Sequence, residues 1–329
     1  MYGGGYIPED PANKGRKVED EDREMLAAFE ARIDRGEKIE PHDWMPYEYR
    51  RQLTRMIEQH ANSEIIGALP EGTWITRAPG FQRKMALVAK VQDEIGHGQL
   101  LYNAAETLGK PREQMINDLL SGKAKYSNVF NYPAKTWADT AVIGFLIDGA
   151  AIVNQLANAK GSYGPYARAL DRICYEESFH LKQGHDNFAA LATGTKKQKE
   201  MLQDAVNRWY RPMIHFFGPP DDDSVHSSKL MRWQVKMASN DEMRNKFLSQ
   251  YVPKVHELGI TFPDPNLRKK ENGEWEFSDP NWDEFYQVIK GHGPCNKERL
   301  DVRRWAEKHG RWVRNALMNP SEEFTVPLS

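Results

Sequence analysis

The chain has very little cysteine. Only Cys174 and Cys295 occur in 329 residues, which argues against a disulfide framework and for a reducing cytosol. It also lacks a Cys-x-x-Cys pair, a Walker-type phosphate loop and a Gly-x-Gly-x-x-Gly turn after a strand-like run. Those absences leave no recognisable flavin, nicotinamide or iron–sulfur site, and the Gly3-Gly4-Gly5 run reads as a flexible terminus. Any electrons used here must come from another protein. No apolar run reaches the ~18 residues that a membrane span needs, and the opening MYGGGYIPEDPANKGRK lacks the apolar stretch of a secretion signal. A formal net charge of −2 supplies no general nucleic-acid-binding surface. Period-two alternation is nearly absent too, so the expected class is all-α.

What the sequence does have is helical periodicity. Residues 1–17 read as a tail, and 19–35 as a short amphipathic helix carrying Met25, Leu26, Phe29 and Ile33 and ended by Gly36. Pro46 suits a first helical turn, and Tyr49, Leu53, Met56, Ile57, His60 and Glu64 then recur at steps of three and four, with Glu58 off that stripe. A second helix, 79–108, aligns Leu87, Lys90, Val91, Glu94, His97 and Leu101. After a short helix at 112–121 and an aromatic loop at 125–133, a third helix over 136–158 aligns Trp137, Ala141, Gly144, Phe145, Asp148 and Ile152. A fourth, 164–191, aligns Tyr166, Leu170, Ile173, Glu177, His180 and Gly184. Beyond that the pattern stays mostly helical, with breaks expected at 218–223, Pro253 and 263–265 and a Trp-rich helix near 296–317. The expected organisation is a tail and short helix in 1–45, a four-helix core in 46–195, and a helical extension in 196–329 that packs on the core and on partner subunits.

Two copies of Glu-x-x-His carry the chemistry: Glu94-Ile95-Gly96-His97 and Glu177-Ser178-Phe179-His180. With 27 Glu and 10 His in the chain, chance placement gives roughly 0.8 such pairs, so the information lies in the repetition. Glu64 precedes the first copy by 30 residues and Asp148 precedes the second by 29, one helix, a turn and part of an antiparallel neighbour, counted twice. Residues three apart on a helix have Cβ atoms roughly 5–6 Å apart, so each pair can grip one ion. All these residues sit on apolar stripes, where burying unpaired charge costs several kcal/mol per group. Two divalent cations remove that conflict, since they favour ionised carboxylates and neutral imidazoles. Four carboxylates and two imidazoles without thiolate suit iron or manganese rather than structural zinc. The expected ligands are Glu64, Glu94, His97, Asp148, Glu177 and His180, with Asp148 a methylene shorter than the Glu of the general bundle pattern. Lys90, one turn before Glu94, reads as an ion-pair partner, with a catalytic role as the alternative.

Glu64, then Asp93-Glu94-Ile95-Gly96-His97, then Asp148 and Glu177-Ser178-Phe179-His180 resembles the catalytic subunits of the ring-1,2-phenylacetyl-CoA epoxidases. These are ferritin-like bacterial multicomponent monooxygenases. The likeness spans most of the chain, including Lys125-Tyr126-Ser127-Asn128 and the Trp-rich C-terminal region. The metal pattern by itself is shared with ferritins, rubrerythrins, ribonucleotide reductase small subunits and methane-type hydroxylases. The resemblance implies a ferritin-like four-helix bundle with a dinuclear iron centre that uses O2 to epoxidise C1–C2 of the phenylacetyl-CoA ring. It further implies three partners: a homologous subunit without metal ligands, a small bridging subunit, and an NADPH-dependent reductase carrying flavin and an iron–sulfur centre. The rival class is an iron-storing or peroxide-handling ferritin or rubrerythrin, which needs only about half this length. A radical-generating reductase subunit would need a Tyr near the metals, for which Tyr175 is the neighbour in sequence.

An acyl-CoA also needs anchors outward from the ligands. Arg55 and Gln59 stand nine and five residues before Glu64, roughly 13 and 7 Å along a helix, and the polar loop Lys125-Tyr126-Ser127-Asn128 can cap a channel. The resemblance adds Lys236 and Asn240, one turn apart on an expected helix.

Overall fold

The computed structural model describes residues 20–223 and 227–318; the tail expected at 1–17 lies outside them. Helix α1 (Asp20–Asp34) buries Phe29 and Ile33, and Gly36 ends it with φ +74°. Helix α2 (Tyr47–Gly72) starts directly after Pro46 and buries Tyr49, Leu53, Ile57 and Glu64, as its periodicity requires. Glu58 is buried as well although it lies off that stripe, because Lys110 covers it at 2.8 Å. Helix α3 (Phe81–Glu106) follows the turn at Gly80, whose φ of +84° favours glycine. Helix α4 (Arg112–Leu120) and a 3-10 turn (Asn128–Asn131) then cross back.

The third core helix is expected as one piece and arrives in three: α5 (Trp137–Val142), a π turn (Ile143–Ile147) and α6 (Asp148–Asn158). Thr136 and Asp139 close a capping box at its start. A π turn adds one residue to the register, and it lies where α7 (Gly164–Ala192) crosses with Gly184 against Gly144. The segment Trp137–Asn158 is also long and apolar enough to cross a membrane, at mean hydropathy 1.5. That corrects the expectation of no such run. Its most apolar window is 72% buried inside the protein, so here it is a core helix.

The C-terminal extension comprises α8 (Lys196–Phe216), α9 (Ser227–Arg232), α10 (Asn240–Glu257), a two-residue antiparallel ribbon β1 (Arg268–Lys269) with β2 (Trp275–Glu276), α11 (Trp282–Gln287) and α12 (Asn296–Met318). The break expected at Pro253 does not occur. Helix α10 runs through it to Glu257, because Tyr251, Val252 and Val255 are buried against the bundle and that burial outweighs a proline cost of ~3 kcal/mol. Gly149 makes the docking possible: a Cβ there would collide with the Tyr251 ring.

The product is an all-α ferritin-like bundle of α2, α3, α5–α6 and α7, flanked by a helix before it and helices after it. Its interior is split. One apolar cluster holds Leu87, Phe145, Phe188 and Phe247; another holds Leu53, Ile57, Leu101 and Ile173. Helix α3 passes from Leu87 through Lys90, Glu94 and His97 to Leu101, and α7 from Ile173 through Glu177 and His180 to Phe188. A charged layer is therefore clamped between two greasy ones.

Candidate metal centre

Glu64 on α2, Glu94 and His97 on α3 and Glu177 on α7 each bring a donor atom within 4.8 Å of the others. His180 joins from α7, its Nδ1 3.5 Å from Glu94 Oε1 and 3.2 Å from Glu177 Oε2. His97 Nδ1 lies 3.8 Å from Glu94 Oε2 and 3.5 Å from Glu177 Oε1, and it is buried without a hydrogen-bond partner. An orphaned imidazole nitrogen facing three carboxylates is what a cation-binding donor set requires. All five residues are buried.

Lys90 and Asp148 stand beside this group. Lys90 Nζ lies 2.6 Å from Asp148 Oδ2, 2.6 Å from Glu71 Oε2 and 3.8 Å from Glu94 Oε1. Asp148, expected as a ligand, lies outside the four-residue donor group; its Oδ2 stands 2.6 Å from Lys90 Nζ and, like His97 Nδ1, is buried without a hydrogen-bond partner. The ion-pair reading of Lys90 fits these contacts, with Glu71 a partner that the sequence did not single out.

The electrostatics of the bare protein show the same demand for positive charge. Burial alone would push both imidazoles down, but Glu177 and Glu94 outweigh it and raise His97 to about 11 and His180 to about 9. Burial and the neighbouring Glu94 raise Glu64 well above the carboxylate range. Burial also lowers the Lys90 ammonium's preference for charge, yet Asp148 and Glu71 more than reverse it.

Glu64, Glu94 and Glu177 line a cavity of about 250 Å³, together with Glu71 and Asp148. Of the expected anchors, Gln59, Ser127 and Lys236 line it. Arg55 and Lys125 do not line it. Tyr126 and Asn128 belong to the fold rather than the cavity wall: Tyr126 donates to Asn131 and accepts from Asn296, and Asn128 donates to the Pro212 carbonyl. Lys236 is not helical as expected but precedes α10, whose first residue, Asn240, accepts a 2.6 Å hydrogen bond from it. Tyr175 is 68% exposed on α7 and points away from the layer.

The sequence matches the family described as phenylacetic acid catabolic protein over residues 22–312. The chain belongs to that family. It is 54% identical over 291 residues to one of the subunits of the 1,2-phenylacetyl-CoA epoxidase of Escherichia coli (strain K12), covering 88% of this chain and 94% of that one.

Two further carboxylates in this family member have roles that the sequence reading did not assign. His97 Nε2 lies 3.0 Å from Glu176 Oε2, and His180 Nε2 lies 3.1 Å from Asp93 Oδ2. Each motif histidine on one helix therefore donates outward to an acid on the other, which fixes the tautomer so that Nδ1 faces the layer. The signal was present: an acidic residue directly precedes each motif Glu, in Asp93-Glu94 and Glu176-Glu177.

Proposed function

We propose that this chain is the oxygenase subunit of a multicomponent monooxygenase that epoxidises the aromatic ring of phenylacetyl-CoA in aerobic phenylacetate catabolism. The supporting observation is the doubled carboxylate–imidazole layer opening onto a largely apolar cavity, in a chain 54% identical to a protein named as a subunit of 1,2-phenylacetyl-CoA epoxidase. Phenylacetyl-CoA, O2, NADPH and a proton give the ring epoxide, water and NADP+. When bound, a reduced pair of iron ions supplies the electrons that activate O2 for this insertion.

The chain's own residues hold, orient and shield. Glu64, Glu94, His97, Glu177 and His180 hold the two ions, while Asp93 and Glu176 keep both imidazoles aimed inward. Lys90 neutralises Glu71 and Asp148, leaving Asp148 at the edge of the ligand set. The apolar walls contributed by Ile147 and Phe130 exclude water around the ring. Lys236 at the cavity wall takes a CoA phosphate by a charge-assisted hydrogen bond, worth ~1.5–3 kcal/mol, with Gln59 and Ser127 as neutral donors.

The partners in this reading are a homologous subunit lacking metal ligands, a small bridging subunit and a flavin and iron–sulfur reductase drawing on NADPH, all in the cytoplasm. The relative's name makes it one chain of several, which agrees with such an assembly. Residues 46–195 form the catalytic unit and 196–329 the extension that closes the cavity and meets partners. The test is O2 uptake by the iron-loaded chain with its partner subunits and reductase, with and without phenylacetyl-CoA. Substrate-dependent uptake, with one atom of 18O2 in the product, supports the proposal. Iron oxidation without substrate or reductase, and no oxygenated product, refutes it in favour of a ferroxidase.

A further inference from the structure

Among the described residues, His60 stands out because it lines the cavity and places a ring nitrogen within hydrogen-bond distance of a proposed ligand while standing outside the ligand set. It sits on α2 one turn before Glu64, with Nε2 2.9 Å from Glu64 Oε1. Its other nitrogen, Nδ1, lies 3.0 Å from the Tyr166 hydroxyl of α7, and the two rings meet edge to face at 6.1 Å. His60, Tyr166 and Gln155 all line the cavity.

The donor count sets the direction of this hydrogen-bond chain. A metal-holding Glu64 is a carboxylate and only accepts, so Nε2 must carry the proton that bridges to it. Nδ1 is then a bare acceptor, and the Tyr166 O–H is the donor that satisfies it. Gln155 lies against the same nitrogen: one end of its amide is 3.3 Å from His60 Nε2 and the other is buried without a hydrogen-bond partner; with Oε1 turned toward Nε2–H, the amide gives that proton a second acceptor. A packing role alone does not explain the residue, since a leucine or methionine would fill the same space without burying two nitrogens that need partners.

We infer that His60, held by Tyr166, is a positioning residue for Glu64: it engages one carboxylate oxygen and so reserves the other for the metal pair. The inference rests on the dinuclear reading above. It extends to Glu64 the arrangement already seen at His97 and His180, where an outer partner fixes the aim of an inner donor, and such partners are worth roughly 10–100-fold in metal affinity.

Cobalt(II) titration of the metal-free protein tests this, because the visible bands of Co(II) report ligand geometry independently of turnover. The wild type should bind two ions. His60→Leu should weaken one of them about tenfold and shift its bands, whereas His60→Gln, whose amide nitrogen replaces Nε2–H, should restore affinity to within about threefold and return the bands. Tyr166→Phe removes one hydroxyl without disturbing the packing, and should weaken the same ion with a smaller shift of the same sign. Wild-type affinity and bands in both His60→Leu and Tyr166→Phe would overturn the inference. Equal loss in His60→Leu and His60→Gln would also overturn it, by making the ring's bulk and not its N–H responsible. Failure of the wild type to bind a pair of ions would instead remove the dinuclear reading, a different result.

Discussion

Gly184→Ala should be among the most damaging single-methyl changes in this protein. Gly184 on α7 faces Gly144 in the π turn, and a Cβ at 184 would lie 2.0 Å from the Gly144 carbonyl carbon, 2.1 Å from its oxygen and 2.5 Å from Phe145 N. Ordinary contact begins at 3.4 Å, so the two backbones must part by roughly 1.4 Å, and no side chain can yield in their place. Overpacking a tight core costs ~1–3 kcal/mol, occasionally more; with backbone on both sides the upper figure applies, which for a chain of this size lowers Tm by about 4 °C. The same shift carries Glu177 and His180, two and one turns earlier on α7, away from Glu94. Thermal unfolding by circular dichroism and Fe(II) per chain after anaerobic loading are the two readings. Gly96→Ala on α3 is the control, since nothing lies within 4 Å of its Cβ position and Ala is favoured over Gly in a helix by ~1 kcal/mol. It should leave Tm unchanged or raise it. A Gly184→Ala protein that melts with the wild type and loads full iron would refute the close-approach argument.

Replacing Glu94, His97, Glu177 or His180 by Ala should lower iron from about two per chain and abolish epoxidation, read by metal analysis and product formation; full metal and activity in all four would place the site elsewhere. Asp93→Asn and Glu176→Gln should each weaken metal binding about tenfold or more, ~1.4 kcal/mol, while the fold is kept. Lys236→Ala should raise KM for the CoA thioester about tenfold with iron content unchanged, and Arg55→Ala should do less because Arg55 does not line the cavity. Asp139 gives a pH prediction away from the centre. Burial would raise its carboxyl, but hydrogen bonds from Arg208, Trp209 and Thr136 outweigh that and hold it below the usual range. Its stabilisation is therefore complete above the unfolded pKa of about 3.9 and lost as pH falls through the lower folded value. Asp139→Asn should cost ~2–3 kcal/mol at pH 7 and cost less below pH 4 in denaturant titrations.

The residues that face inward were legible because they repeat with the period of a helix. Glu64, Glu94, His97, Glu177 and His180 share stripes with Leu53, Leu87, Leu101 and Ile173, and a charged residue on an apolar stripe must be explained by what neutralises it. Residues that act across helices were not legible in the same way. Asp93 and Glu176 are polar neighbours of the motif on their own helices, and only the antiparallel contact of α3 with α7 aims each at the other helix's histidine. Glu71 carries no motif signal of its own, and its role exists only because Lys90 reaches it from α3. The π turn before Asp148 was hidden for another reason: it follows from the backbone contact of Gly144 with Gly184, two small residues whose sequence signal is weak. Tyr126 and Asn128 looked like free donors in a polar loop, but their polar atoms are used by Asn131, Asn296 and Pro212.

The charged layer also explains why the bundle needs the rest of the chain. Five carboxylates (Glu64, Glu71, Glu94, Asp148 and Glu177) lie buried with one lysine between them. Each buried ion costs several kcal/mol unless it is paired and hydrogen-bonded. Lys90 is a fixed counter-ion that serves Glu71 and Asp148 whether or not metal is present. Lys90 reaches Glu94 only at 3.8 Å, and among the described residues Glu64 and Glu177 have no lysine at ion-pair distance; there the positive charge falls to His97 and His180, both raised by Glu94 and Glu177. The layer is therefore unequal by construction, one side neutralised permanently by an ammonium and the other left for exchangeable cations. Such an arrangement holds only if the low dielectric around it is intact, since water reaching the layer would screen Lys90 from its partners. Helices α8 and α10 supply that seal, with Phe216 at the cavity wall and Tyr251 pressed onto Gly149, the residue after Asp148. The extension beyond the four-helix core is thus part of the electrostatic design of the centre, and its removal should cost metal binding as well as substrate binding.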